Sequence, residues 1–382
     1  MTPGTIDRTI DAAMPATAPA ADRDERLRQT GAFTQLMRRP ELGAIGGLIV
    51  VVAFFAVTAS ASMFSLDGLM SVLNPAAQLG IMAIAASLLM IGGEFDLSIG
   101  SMVAFAGLVF GVLLVSWHLP LPVAIAGTLV AAGLIGALNG QLVIRTRLPS
   151  FIVTLAFLFI LRGLSLVGLK IVTGGSTQMR GFTDASADSL IRPLFSGSAF
   201  SGLFGWLAHH GIVASLPDGS PATQGIPIAV VWFVVFTALA TWVLLRTRLG
   251  NWIFASGGDS NAARNSGVPV DRVKTGLFVF SSVAAALVAI LTVLDAGSTD
   301  AMRGQQKEFQ AVIAAVIGGC LLTGGYGSAV GAFFGSVIFG TVSIGLTYTQ
   351  FDSDWFQVFL GAMLLIAVIF NNQLRRKVTG ER

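Results

Sequence analysis

A single cysteine, Cys320, in a chain of 382 residues leaves no partner for an internal disulfide. Its place in the apolar run 311–322 gives a redox or thiolate role little support. Charge is almost as scarce. Asp, Glu, Lys and Arg make up 11% of the chain, where a soluble domain carries roughly 25%. A water-facing surface cannot be covered with so few charges. Histidine occurs three times, and His118, His209 and His210 lack the further His, Cys or carboxylate spacing of a metal site. No nucleophile–base pair is visible, which leaves no basis for an enzyme. The net charge is only +3 and the Lys and Arg residues are scattered between apolar runs, which excludes nucleic acid as a partner. Nowhere does Gly-x-x-x-x-Gly-Lys-Ser/Thr occur, so the chain has no visible nucleotide site or cofactor of its own.

What the chain does have is 54% hydrophobic residues, a mean hydropathy of +0.79 and 45 glycines. A bilayer supplies the missing apolar solvent, and small residues let membrane helices approach closely. A spanning helix needs about 20 mainly apolar residues. Runs at 43–63, 68–92, 99–117, 121–144, 148–172, 226–245, 275–296, 308–323, 327–348 and 355–372 predict an all-α membrane protein of about ten transmembrane helices. Residues 1–42 mix Ala, Pro and Thr with both charge signs and read as a disordered cytoplasmic tail, not a signal peptide. Residues 43–372 form the expected transmembrane domain and 373–382 a second cytoplasmic tail. With both ends inside, 17 of the 23 Lys and Arg residues fall on the cytoplasmic side, as the positive-inside rule requires. The long outward segment 173–225 is large enough to receive a partner outside.

Two segments are candidates for function. Gly92-Gly93-Glu94-Phe95-Asp96-Leu97-Ser98-Ile99-Gly100-Ser101 places carboxylates and hydroxyls between apolar runs. Ionisable groups at that depth point to a pathway. Asp96 or Ser98 can equally cap the next helix while the glycines turn the chain. Both readings meet in a broken helix that restarts with a cap inside the membrane. The inward stretch 246–274 contains Gly257-Gly258-Asp259 through Pro269, which reads as a short isolated helix with Asp259 or Ser260 as N-cap. Gly267 is its left-handed stop and Pro269 prevents continuation. So short a helix requires a partner. Gly327-x-x-x-Gly331-x-x-x-Gly335 and Gly136-x-x-x-Gly140 predict close helix packing. Arg162 is either a pathway charge or an Arg that snorkels from a helix end. A faint likeness links Gly92-Gly93…Gly100-Ser101 to Gly324-Gly325…Gly327-Ser328, too thin for an internal repeat.

Taken in order, these segments resemble the sugar-type permeases of bacterial ABC importers, the group of the ribose and xylose permeases. The likeness covers about residues 68–372. It is carried by residues 92–101, by Asn139-Gly140, by Pro149-Ser150-Phe151-Ile152-Val153-Thr154-Leu155 with Arg162-Gly163, by Gly257-Gly258-Asp259 to Ser266-Gly267, and by residues 311–319 with Gly324-Gly325-Tyr326-Gly327-Ser328. The resemblance implies a permease in the bacterial cytoplasmic (inner) membrane that works as a homodimer. It implies a periplasmic solute-binding protein outside and a cytoplasmic ABC ATPase inside, the latter binding ATP and Mg. Residues Gly258, Asp259, Ala262, Ala263, Arg264, Ser266 and Gly267 would dock that ATPase as a coupling helix. Glu94, Asp96, Ser98, Asn139 and Thr154 are the expected pathway lining for a small polar solute. Asp259 stands where the family usually has Asn, Gln310 where Asp often follows Glu308, and Asp295 where a basic residue is frequent. Two other readings stay open: an ion-coupled secondary transporter using Glu94 and Asp96, and an ABC permease for amino acids or nucleosides.

Overall fold

The structure is a computed structural model that describes residues 40–379 apart from residue 353, with side chains described for 41–369. The expected tail at 1–42 lies outside the described residues except for its last three, which open the first helix.

Helix α1 runs over Pro40–Thr58, α2 over Leu66–Ile91 and α3 over Ile99–Gly111, continued by one wide turn at Val112–Ser116. They are followed by α4 at Leu121–Thr146 and α5 at Ser150–Thr173. The connection after α5 is folded rather than plain loop. It holds β1 Gln178–Arg180, the short α6 Phe182–Ala185, β2 Ser198–Ala199, α7 Ser201–His209 and β3 Ile226–Pro227. Next come α8 Ile228–Arg246, α9 Arg248–Gly258, α10 Ser260–Asn265 and α11 Val270–Ala296. The strand β4 Ser298–Asp300 pairs antiparallel with β1, and α12 Lys307–Ile317, α13 Ala329–Gly345 and α14 Trp355–Thr379 complete the chain.

Among the described residues eight helices are long and apolar enough to cross a membrane. They match eight of the ten expected runs. The last expected run lies in α14, whose apolar part, Trp355–Ile369, is shorter. The run 308–323 departs from expectation. Its helix, α12, has 11 residues and reaches about 16 Å, half of a roughly 30 Å hydrocarbon core. Gly318 and Gly319 turn the chain back toward α13. Hydropathy reports that a segment is buried in an apolar place but not that it returns.

The same turn occurs twice. At the end of α2, Gly93 (φ 82°) is left-handed, and the amides of Gly92, Gly93 and Glu94 donate to Leu88, Met90 and Leu89 at 3.0, 2.9 and 3.1 Å. At the end of α12, Gly319 (φ 89°) takes its place, and Gly318, Gly319 and Cys320 donate to Ala314, Val316 and Ala315 at 2.9, 2.9 and 3.0 Å. This is the left-handed cap that glycine allows. The internal likeness is therefore between Gly92-Gly93 and Gly318-Gly319, not Gly324-Gly325.

Helices α2 and α11 are the centre of the bundle, each 78% buried over its most apolar window, while α1 and α8 are 11% and 22% buried and present apolar faces outward. Exposed Ile49, Val57, Val130, Phe159 and Leu239 on α1, α4, α5 and α8 belong to that lipid-facing surface. The predicted glycine faces are used. A methyl group on Gly331 would stand 1.9 Å from the Gly318 carbonyl, and one on Gly335 2.0 Å from that of Ala314, so α13 packs backbone to backbone on α12. A methyl on Gly136 would stand 2.6 Å from the Phe278 carbonyl, which seats α4 on α11.

Candidate functional site

The break between α2 and α3, residues 92–98, is held from three sides. Asp96 is 4% exposed. Its Oδ1 accepts from the Ser98 amide at 2.9 Å and from the Ser98 hydroxyl at 2.5 Å, and its Oδ2 accepts from Ser281 Oγ of α11 at 2.7 Å. Asn139 Nδ2 on α4 donates to Ser98 Oγ at 3.1 Å. On α5, Ser150 Oγ accepts from the Phe95 amide and Thr154 Oγ1 from the Leu97 amide, both at 3.0 Å. Backbone groups freed by the broken helix thus find side-chain partners, as non-helical backbone at membrane depth must. Of the two cap candidates, Asp96 does the capping and the Ser98 hydroxyl makes no cap bond.

Of the five expected pathway residues, Asp96, Ser98 and Asn139 are joined side chain to side chain, and Thr154 accepts from the Leu97 amide beside them; all four are 4% exposed or less. Their hydrogen bonds close on the break and the helices around it. Glu94 stands apart. Lys274 Nζ of α11 lies 2.6 Å from its Oε1, and the two side chains are 14% and 12% exposed. Lys274 was not singled out in the sequence; its signal, a cation near the start of an apolar helix, matches no motif. Ser281 was missed too, since a serine in a buried helix looks like packing.

Helix α10 stands at the end of the bundle that carries Arg145, Arg147, Arg246 and Arg248. Asp259 is its cap, with Oδ1 accepting from the amides of Asn261 and Ala262 at 2.9 and 3.0 Å. Gly267 has φ 83° and stops it. Ala263 is buried, whereas Asp259, Ala262, Arg264, Ser266, Gly267 and the neighbouring Gly258 are exposed. The sequence did not show that a longer helix, α9, precedes it, capped by Thr247 Oγ1 accepting from Gly250 at 3.2 Å. Arg264 forms an ion pair with Asp271 in the first turn of α11. Along α11, then, Asp271 meets α10, Lys274 meets Glu94 and Ser281 meets Asp96. One rigid helix connects the exposed α10 to the buried break.

A second link runs through glycine. A methyl on Gly257 would stand 1.8 Å from the Ile91 carbonyl and 2.8 Å from the Gly325 amide. Gly325 itself donates to the Ile91 carbonyl at 2.9 Å. The ends of α2 and α9 and the loop before α13 meet here, immediately before α10, at a distance only glycine permits. His209 and His210 lie at the end of α7 on the opposite connection, and among the described residues no group of His, Cys, Asp or Glu could hold a metal.

Broken apolar helices around a buried polar network, with a capped helix projecting from one end, are the architecture of a membrane permease. Residues 68–368 match the family of permease components of the branched-chain amino acid transport system, and the chain belongs to that family. It is 32% identical over 339 residues to the ribose import permease protein RbsC of Escherichia coli K12, covering 88% of this chain and 94% of that one. It is 30% identical over 366 residues to the xylose transport system permease protein XylH of the same strain, covering 87% and 92%. The ribose import permease protein of Haemophilus influenzae is 27% identical over 330 residues, covering 86% and 92%.

Proposed function

We propose that the chain is the membrane-spanning subunit of an ATP-binding-cassette importer that carries a simple sugar or related polar solute inward by alternating access. The observation that carries the ATP-driven reading is α10: a capped, exposed helix whose Arg264 is tied to α11, the helix that also holds Glu94 and Asp96. A cytoplasmic ATPase that grips α10 at its exposed residues Gly258, Asp259, Ala262, Arg264, Ser266 and Gly267 moves α11 and, through it, the break, with the buried Ala263 seating α10 on the bundle. ATP and Mg stay with that ATPase. Both chain ends then face the cytoplasm, the folded connection after α5 faces the binding protein, and a second copy completes the route. The buried residues Asp96, Ser98, Asn139 and Thr154 reach the solute only when the break opens, because the hydrogen bonds they make here stay within the break and the helices around it. The sugar class follows from the similarity to ribose and xylose permeases over nearly the whole length of both chains.

The test is uptake by proteoliposomes holding the permease, its ATPase and its binding protein. Inward ATP-dependent accumulation of a pentose or hexose, insensitive to an uncoupler, is expected. Uptake that continues without ATP and collapses with the uncoupler would overturn the reading.

A further inference from the structure

Three polar side chains belong neither to the break nor to α10. Asn74 and Gln78 lie one turn apart on α2, both half-buried, and Asp295 is exposed at the end of α11. Gln78 stands about 18 Å along α2 from Leu66. Past Pro75 the other polar side chain of α2 is Ser87, which donates to the Ile84 carbonyl of its own helix. Gln78 has no such local partner. Among the described residues the three side chains make one hydrogen bond, from Gln78 Nε2 to Asn74 Oδ1 at 3.4 Å. That bond orients both amides. Asn74 keeps its two N–H donors and Gln78 its carbonyl oxygen, while the Asp295 carboxylate is in none of the ion pairs of the described residues.

One cavity joins them. Asn74, Gln78 and Asp295 line it together with Gly197, Ile228 and Leu291, and its volume of about 10 Å³ is the room of one water-sized group. The connection after α5 is pinned across it on both sides: Ser196 Oγ donates to the Leu294 carbonyl of α11 at 3.3 Å, and the Ile228 amide of α8 donates to the Gly197 carbonyl at 3.0 Å. Leu291 is a buried apolar floor, whereas Gly197 and Asp295 are exposed, so the mouth opens on the side of that connection. A few convergent polar groups over an apolar floor are the make-up of a small-molecule site. A hydroxyl is the group that uses all of them. Its hydrogen goes to the acceptor-only carboxylate, and its oxygen accepts from an Asn74 N–H. The space admits one such oxygen but no sugar ring, so it takes the edge of a solute that stands at the mouth.

We infer that Asn74, Gln78 and Asp295 form an outer subsite that takes one hydroxyl of the solute before the break opens. The inference rests on the sugar-importer reading, which puts the connection after α5 outside. The break and this cavity lie along the same two helices, since α2 leads from Asn74 and Gln78 to Gly92, and α11 leads from Asp295 back to Ser281.

The test uses the complete importer in proteoliposomes, as wild type, Asn74→Ala and Asp295→Ala. Initial ATP-driven uptake is measured for a transported pentose and for analogues each lacking one hydroxyl, all at saturation of the binding protein. The subsite predicts one analogue that wild type carries more slowly by on the order of tenfold, the worth of a hydrogen bond to a charged group. In Asp295→Ala the parent sugar is expected to fall to the rate of that analogue, and the analogue itself to stay within twofold of its wild-type rate. Asn74→Ala is expected to shrink the same difference and no other. A penalty equal in wild type and both variants, or no penalised analogue in wild type, would overturn the inference while leaving the sugar reading intact. So would variants that no longer recruit the binding protein, which assigns the residues to docking. A second measurement needs no transport: Ile228→Cys is expected to react, above the wild-type background, with a membrane-impermeant thiol reagent added on the binding-protein side. Reaction from the ATPase side alone, or from neither, would overturn the placement of the cavity. A wild type that accumulates no pentose or hexose removes the sugar reading, and the inference with it.

Discussion

Lys274→Ala leaves the Glu94 carboxylate in the break without its cation. In the native chain the two atoms are 2.6 Å apart and the side chains are only 14% and 12% exposed, so little water is available to replace the ammonium. Removing one partner of a buried ion pair costs about 3–5 kcal/mol, most of it the price of the charge left behind. The residual exposure places this pair near the lower figure, about 3 kcal/mol. Removing both charges, in Glu94→Gln with Lys274→Ala, avoids the orphaned carboxylate and should cost only about 1 kcal/mol. Chemical unfolding in mixed micelles, followed by tryptophan fluorescence, gives the free energies for the full cycle. A coupling of about 2 kcal/mol or more is expected between the two positions. If Lys274→Ala unfolds like wild type, or if the double variant is as unstable as the two singles added together, the ion pair does not anchor the break to α11.

Two further outcomes follow from the same geometry. Gly257→Ala places a methyl 1.8 Å from the Ile91 carbonyl and should prevent normal assembly, whereas Gly258→Ala meets nothing within 4 Å and should purify with wild-type yield and unfolding midpoint. Asp259→Ala removes the acceptor for the Asn261 and Ala262 amides and should cost about 1 kcal/mol of local helix stability. Faster amide exchange confined to residues 260–267 would register it, and unchanged exchange there would show that another group caps α10.

How much of this could be read from residues alone depended on whether the cause was local. The α10 helix was legible because its cap, stop and breaker, Asp259, Gly267 and Pro269, lie within a few residues of each other. The break at 92–98 was legible for the same reason: a glycine pair and two carboxylates interrupt an apolar run. Partners were not. The Lys274–Glu94 pair spans 180 positions and Ser281–Asp96 spans 185, and nothing in a single sequence specifies which buried serine or lysine a carboxylate will meet. The half-length α12 was misread as a span because Gly318-Gly319 reverses the chain without lowering its hydropathy. The same distance hid the role of Gly257, whose need for glycine comes from Ile91 and Gly325, both remote in sequence. Of the expected pathway residues, Asp96, Ser98, Asn139 and Thr154 lie buried around the break in this conformation, while Glu94 pairs with Lys274 instead.

The most direct test of the central claim is copurification from native membranes in mild detergent. Wild type is compared with a chain whose Asn261–Asn265 stretch is replaced by Gly and Ser, which removes the exposed face of α10 together with buried Ala263 and the Arg264–Asp271 ion pair to α11. An ATPase that accompanies wild type and is lost from the variant is the predicted result. An ATPase retained equally by both, or absent from both, would contradict the assignment of α10 as the helix through which ATP drives transport.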